Sequence, residues 1–403
     1  MRANSRVLSM VGAVALGSAC LVLAPSAAAD KPGRELFTEN TFGSTAALES
    51  QPGTAGAWAK RADAGVVDSK TDAIELDLGN QRVTARRDQV RTTALGSTVW
   101  EGSIRDRQRQ ASGLRSDEKE SVVLVRRGGG VTGSVRVDGR LYRIQPISGG
   151  EHAVTEVDES RMPPDHPRTQ AGPPTVRMAD TAALEANTVI RVQVIGTSDA
   201  ATGFGGDMQA LAELAVAETN RGYENSGIEI TLELSGYETL QHKEQEMTAD
   251  LARFREPADG VLDGIHASRD KQQADLNVLL VNDKSGCGLA SSIGSDATTA
   301  FAAVYHGCAT GYYTFAHELG HLQSARHDPE TDSSTTPFAH GHGFRNGNAW
   351  RTIMAYDCPT SCSRLNYWSN PGKSYEGVAM GTAAKSDNAR VLNETKATIA
   401  AFR

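Results

Sequence analysis

The sequence is poor in cysteine and in aromatic residues, and it has no excess of positive charge. Five cysteines in 403 residues exclude a small scaffold stapled together by disulfides. Lys and Arg number 41 against 49 Asp and Glu, a net charge of −8, which excludes nucleic-acid binding driven by overall basicity. Aromatics are 5% and no residue class dominates, so the chain is not a collagen, a coiled coil or a low-complexity polymer. Long hydrophobic runs are missing except at the N-terminus. At about 150 residues per domain, two or three domains are expected, and either half is long enough to build its own core.

The one apolar run, Val7 to Leu23, follows Arg2 and Arg6 and ends at Pro25 and Ser26-Ala27-Ala28-Ala29. A positive start, a short apolar stretch and small residues form a secretory signal, with residues 1–29 removed. The run is short for a membrane span. The protein is therefore expected to be secreted, extracellular and free of the membrane once the signal is cut. Cys20 leaves with the signal. Cys287, Cys308, Cys358 and Cys362 remain, an even number that reads as two disulfides in an exported protein. Three pairings are possible, and the local one, Cys287–Cys308 with Cys358–Cys362, is expected.

Residues 30–148 read as β-rich. Ile74 to Leu78 alternates, Val122 to Val125 is apolar, and Asp138-Gly139 supplies a hairpin turn between two short apolar stretches. Five of the 14 prolines then fall between Pro163 and Pro174, so residues 149–187 are expected to form an exposed linker. From Thr188 the pattern is α/β. Val189 to Ile195 and Ile228 to Leu234 alternate as strands. Leu276 to Val281 is nearly all apolar, a buried central strand. Asp207 can cap a helix through Met208, Leu211 and Leu214, and a last helix is expected over 387–402.

The chemistry lies in His317-Glu318-Leu319-Gly320-His321, followed by His327. Four residues apart on a helix, His317 and His321 share one face. Two imidazoles so placed can grip one Zn²⁺, and Glu318 can act as general base on a water. His327 can be the third ligand if the helix ends and the chain turns back. Three protein ligands and one open position is the catalytic zinc pattern.

These residues, with Met354 in Thr352-Ile353-Met354-Ala355-Tyr356, resemble the metzincin zinc endopeptidases. Within that clan the chain looks most like the secreted bacterial peptidyl-Asp metalloendopeptidases and the reprolysin-like enzymes, over about 188–403. The resemblance implies a metzincin-type α/β catalytic domain, with a twisted mixed sheet, an active-site helix and a C-terminal helix, behind a β-rich pro-domain. It implies Met354 beneath the three imidazoles, and Tyr356 as an extra ligand or transition-state donor. It also suggests cleavage before Asp, for which Arg345 and Arg351 are the cationic candidates. The clan has Gly where this chain has Ser324, at a turn needing a left-handed backbone. Ser there should cost about 1–2 kcal/mol and leave an intact, somewhat looser site.

The expected function is thus a secreted, monomeric zinc endopeptidase acting on proteins or peptides and made as a zymogen, with its own pro-domain as intramolecular inhibitor. Asp165, or else His166, could occupy the open zinc position in the precursor. Self-cleavage at Ala179–Asp180, or a cut after Arg168 or Arg177, would release the enzyme. His340 and His342, two apart in a Gly-rich loop, are expected at the surface or cleft rather than at a second metal. His306 is read as structural. The alternative is a secreted binding or toxin-like module with a structural zinc.

Overall fold

The computed structural model describes Met1, residues 33–104, 118–167 and 187–403, and the backbone of Thr175–Val176. The signal peptide and the candidate cleavage sites at Arg168, Arg177 and Ala179–Asp180 lie outside the described residues. Gly33–Arg403 form one compact unit. Among the described residues, no helix is long and apolar enough to cross a membrane.

The N-terminal part is a ten-stranded sheet. Its strands are β1 (Arg34–Glu35), β2 (Phe37–Asn40), β3 (Thr54–Ala62), β4 (Ala73–Asp77), β5 (Arg82–Thr92), β6 (Thr98–Ser103), β7 (Ser121–Arg127), β8 (Gly130–Val137), β9 (Arg140–Pro146) and β10 (His152–Val157), with the four-residue helix α1 (Ala46–Glu49) between β2 and β3. The order is β1-β4-β5-β6-β7-β8-β9-β10-β3-β2. All pairings are antiparallel except β1 with β4. At the β8–β9 turn, Asp138 and Gly139 have φ of 49° and 79°, the positive pair that a two-residue hairpin needs. One face, with Ile74, Trp100, Leu124, Val135 and Tyr142, closes a core of its own.

The stretch expected as an exposed linker begins as ordered structure instead. Strand β10 lies between β9 and β3, and its Ala153, Val154 and Val157 are buried. Its short apolar pattern satisfies a sheet interior, whereas the proline density that suggested a linker starts only at Pro163.

The C-terminal part holds β11 (Thr175–Val176), β12 (Thr188–Thr197), β13 (Ile230–Leu240), β14 (Leu276–Val281), β15 (Gly288–Ala290), β16 (Ser292–Ile293) and β17 (Phe301–Tyr305). Five of these make a mixed sheet in the order β13-β12-β14-β17-β15. Four strands are parallel and β15, at the edge, is antiparallel. The central strand β14 is buried at every position, as its unbroken apolar run requires. The helices are α2 (Ser198–Phe204), α3 (Met208–Ser226), α4 (Met247–Arg255), α5 (Gly264–Gln272), α6 (His306–Ala309), α7 (Thr314–Leu322) and α8 (Asn388–Ile399), and between α7 and α8 lie the short strands β18 (Arg345–Asn346), β19 (Trp350–Arg351), β20 (Ser363–Arg364), β21 (Asn370–Tyr375) and β22 (Val378–Met380). Asp207 caps α3 by accepting from the Ala210 amide, and Asp387 caps α8 through the Arg390 amide.

Helix α3 is apolar on two sides. Met208, Leu211, Ala212 and Ala215 enter the core of the C-terminal sheet. Ala210, Leu214 and Ala217 pack on Val99, Val123 and Val125 of β6 and β7. A helix buried on both faces joins two layers rather than bounding one.

Candidate active site

Helix α7 presents the two motif histidines. Phe315, Ala316, Leu319 and Leu322 anchor it in the core, which aims His317 and His321 together, with ring centroids 4.8 Å apart. The helix stops through paired bonds: the Ser324 amide donates to the His321 carbonyl and the Ala325 amide to the Gly320 carbonyl, both at 2.9 Å. This is a Schellman closure, which places its penultimate residue in the left-handed region. Ser324 accordingly has φ +78°. The chain then reverses and brings the His327 ring 4.6 Å from His321 and 5.2 Å from His317.

His342 holds that return. It is buried, and its Nδ1 and Nε2 stand 2.8 Å from the His327 carbonyl and 2.9 Å from the Ser334 carbonyl. The expectation of a surface or cleft residue fails here because the Gly-rich loop folds back under His327, with the Arg326 amide bonded to the Gly341 carbonyl. His340 is separate, 3.6 Å from Glu394. His306 packs edge-on to Phe204 and bonds Asn282, a structural placement.

The metal question turns on which ring atoms are free. His317 Nδ1 bonds the Ile353 carbonyl and His321 Nδ1 the Ala325 carbonyl, each at 2.9 Å. A carbonyl only accepts, so both Nδ1 atoms carry the proton and both Nε2 atoms present lone pairs. His317 Nε2 and both Glu318 carboxylate oxygens are buried without a hydrogen-bond partner. His321 Nε2 and His327 Nε2 face each other at 2.9 Å. Three imidazole nitrogens converging in this way suit a divalent cation. Among the described residues, the ligand atoms of His166, His317, His321 and His327 lie within 4.8 Å of one another.

Met354 lies fully buried near the helix. A Cβ on Gly320 would stand 2.7 Å from its Sδ and 2.6 Å from the Trp368 ring, so only glycine lets Met354 approach this turn. Asp328, also buried, accepts from the Tyr356 amide at 2.9 Å. It thereby ties the His327 return to the methionine turn.

Burial sets the electrostatics. It lowers the pKa of His317 and His327 well below the usual imidazole value, and His321 to about 3, with the neighbouring histidines reinforcing the shift in His317 and His327. All three are therefore neutral donors. Burial raises the Glu318 carboxyl, partly opposed by His166. Burial raises the Tyr356 hydroxyl, which keeps its proton.

The segment that ends at Pro167 enters this site. His166 Nδ1 is 2.5 Å from the Tyr356 hydroxyl and its Nε2 is 3.5 Å from Glu318 Oε1. Its ring lies 4.9 to 5.4 Å from the three histidine rings. Asp165, the candidate favoured from sequence for the open metal position, is placed elsewhere. Its Oδ1 is 2.7 Å from Arg364 and its Oδ2 is 3.4 Å from Arg351. Two buried guanidiniums offer a carboxylate more than a neutral histidine cluster can, and it goes to them. Burial alone would raise the Asp165 pKa, but Arg364 and Arg351 outweigh it and hold it below the usual range. Arg345 is not in this pocket; it lies 3.3 Å from Asp328. Arg364 had no signal in the sequence.

Both expected disulfides are present, Cys287–Cys308 and Cys358–Cys362. The first fixes the start of edge strand β15 next to the site.

A buried HExxH helix, a returning third histidine and a methionine turn beside a mixed sheet define a metal-dependent peptidase. The chain belongs to metallo-peptidase family M12, which its residues 186–369 match. It is 49% identical over 406 residues to the peptidyl-Asp metalloendopeptidase of Stenotrophomonas maltophilia strain K279a, covering 95% of this chain and 97% of that one. It is 51% identical over 366 residues to the protein of that name from Xanthomonas campestris pv. campestris, covering 88% and 87%. Among solved structures, metalloproteinase-II from Bacteroides fragilis aligns at a TM-score of 0.42 with 14% identity, over 73% of this chain and 86% of that one. The chain is a metalloendopeptidase, a hydrolase of protein or peptide substrates.

Proposed function

We propose that the metal is zinc, held by His317, His321 and His327, and that the enzyme is secreted as a latent precursor and cleaves bonds next to Asp. The orphaned, buried His317 Nε2, converging with His321 Nε2 and His327 Nε2, carries this reading, because its lone pair needs a cation that the protein does not replace. Zinc bound there would supply Lewis-acid polarisation of the scissile carbonyl.

Glu318 takes a proton from the attacking water and later passes it to the leaving amine nitrogen. The water oxygen bonds the carbonyl carbon and the C–N bond breaks. The Tyr356 hydroxyl donates to the oxygen that gains negative charge. Met354 acts as a packed support. Residues 1–29 serve as the export signal, in keeping with two disulfides.

The N-terminal sheet and the segment to Pro167 act as the pro-part and intramolecular inhibitor. His166 supports this, since its ring engages both Tyr356 and Glu318. A substrate carbonyl and its water need the same two groups. Release then falls to a cut within 168–187, and the freed unit of about 220 residues acts as a monomer.

Glu318→Ala tests the assignment. The variant should keep one zinc per chain by elemental analysis and lose at least a thousandfold in casein or peptide hydrolysis, about the scale of removing a general base from a metal site. Retained hydrolysis would sink the role of Glu318, and a chain that binds no zinc would sink the ligand set.

A further inference from the structure

Arg351 and Arg364 form a feature that the hydrolytic chemistry does not use. They stand opposite each other on short parallel strands, Trp350–Arg351 and Ser363–Arg364. Their side chains are 1% and 0% exposed. Two like charges facing each other across strands destabilise a sheet, and two buried guanidiniums need an anion between them. Tyr312 completes the wall. Its hydroxyl accepts from Arg351 at 3.0 Å, its carbonyl accepts from Arg364 at 3.0 Å, and its ring lies 4.5 Å from the Arg364 guanidinium. Asp357 is only 3.6 Å from Arg351 on the outer side, and it caps the Cys358 and Cys362 amides. Asp165 supplies the missing anion.

Asp165 also arrives as a substrate would. The Pro164 and Asp165 carbonyls accept from the Cys287 and Gly288 amides at 2.8 and 3.1 Å. These amides lie at the edge of the mixed sheet, where an extended peptide can add. A Cβ on Gly286 would stand 2.5 Å from the Pro167 nitrogen, so the peptide backbone lies directly on this edge. Asp165 is in the basic pocket while the adjacent His166 is among the metal-ligand histidines. That is the spacing needed by a chain with an acidic residue beside its scissile bond.

We infer that Arg351, Arg364 and Tyr312 form the subsite that selects a substrate carboxylate, and that Asp165 fills it in the precursor as a pseudo-substrate. The inference rests on the reading above that the enzyme cleaves bonds next to Asp. When the segment leaves, the two arginines are left without their anion, and the pocket takes an Asp side chain from the substrate in its place. A neutral isostere such as Asn cannot pair both guanidiniums.

The test compares paired peptides that differ only as Asp or Asn beside the cut. In the active enzyme obtained from the full chain, kcat/KM should favour the Asp peptide by at least 100-fold. Arg364→Gln and Arg351→Gln should each lower that ratio at least tenfold. A wild-type ratio near one, or equal losses on both peptides in the variants, would overturn the pocket. A wild type that cleaves neither peptide refutes the reading of cleavage next to Asp instead. Should the arginine variants fail to fold, Asp165→Asn in the full chain decides. Hydrogen exchange of the Cys287 and Gly288 amides should rise at least tenfold in Asp165→Asn and less in Asp165→Glu, which keeps the charge. Unchanged exchange in Asp165→Asn overturns the pseudo-substrate role.

Discussion

Ser324 shows how much one residue decides at the metal site. The Schellman closure that ends α7 needs a left-handed residue there, and Ser324 accepts φ +78°. The turn is complete, with both capping bonds formed, so the strain is local and the histidine geometry is kept. Ser324→Gly should raise the unfolding free energy by about 0.5–1 kcal/mol, the left-handed penalty less the extra freedom glycine gives the unfolded chain. Denaturant titration checks it, and a loss of stability would mean that the serine side chain contributes a bond of its own. The three histidines and Glu318 were legible in the sequence because their spacing is local, one helical turn and one reversal. His166 was named only as the alternative to Asp165, and Arg364 not at all, because each acts through residues remote in sequence. Asp165 and Arg364 are 199 positions apart, and no local pattern records such a meeting.

At the scale of elements, strands buried on both faces and hairpins with positive-φ turns were plain from the residues. Strand β14 matches its apolar run, and the β8–β9 turn matches Asp138-Gly139. Strand β10 was hidden by the prolines that follow it. Helix α3 was half legible: its apolar positions were visible, but which of them face which sheet depends on a partner layer. Leu214 belongs to the face turned to the N-terminal sheet, against Val99, Val123 and Val125. Leu214→Ala should cost about 2–4 kcal/mol of stability. The loss should appear chiefly as faster hydrogen exchange in β6 and β7, while the core around β14 stays protected. Uniform deprotection of both sheets would mean that the two layers unfold as one.

At the scale of the whole molecule, the two sheets meet across buried ionisable groups on α3. Glu213 accepts from Thr93 at 2.8 Å, and Arg221 donates to Glu118 at 2.9 Å. Glu218 takes bonds from the Ser134 hydroxyl and the Gly311 amide. Burial pushes the Glu218 carboxyl up to about 7 from 4.5, against the pull of Arg136 and Arg143. Between these values the folded chain holds a proton that the unfolded chain releases. Stability from this group is therefore complete below about pH 4.5 and is lost as pH rises through about 7, on the order of 3 kcal/mol. Thermal unfolding of the full chain and of Glu218→Gln, followed from pH 5 to 8, should converge at low pH and separate at high pH, with the glutamine variant the more stable. Parallel curves would remove Glu218 as the cause. The same seam has a further consequence. A helix meant to stay covered would carry only apolar residues on its outer face, yet α3 interleaves Ala210, Leu214 and Ala217 with Glu213, Glu218 and Arg221. Wetting that face hydrates one ionisable group for each of these small apolar residues it exposes, so the helix is suited to two lives: as the middle of a sandwich, and as an ordinary surface once its cover is gone.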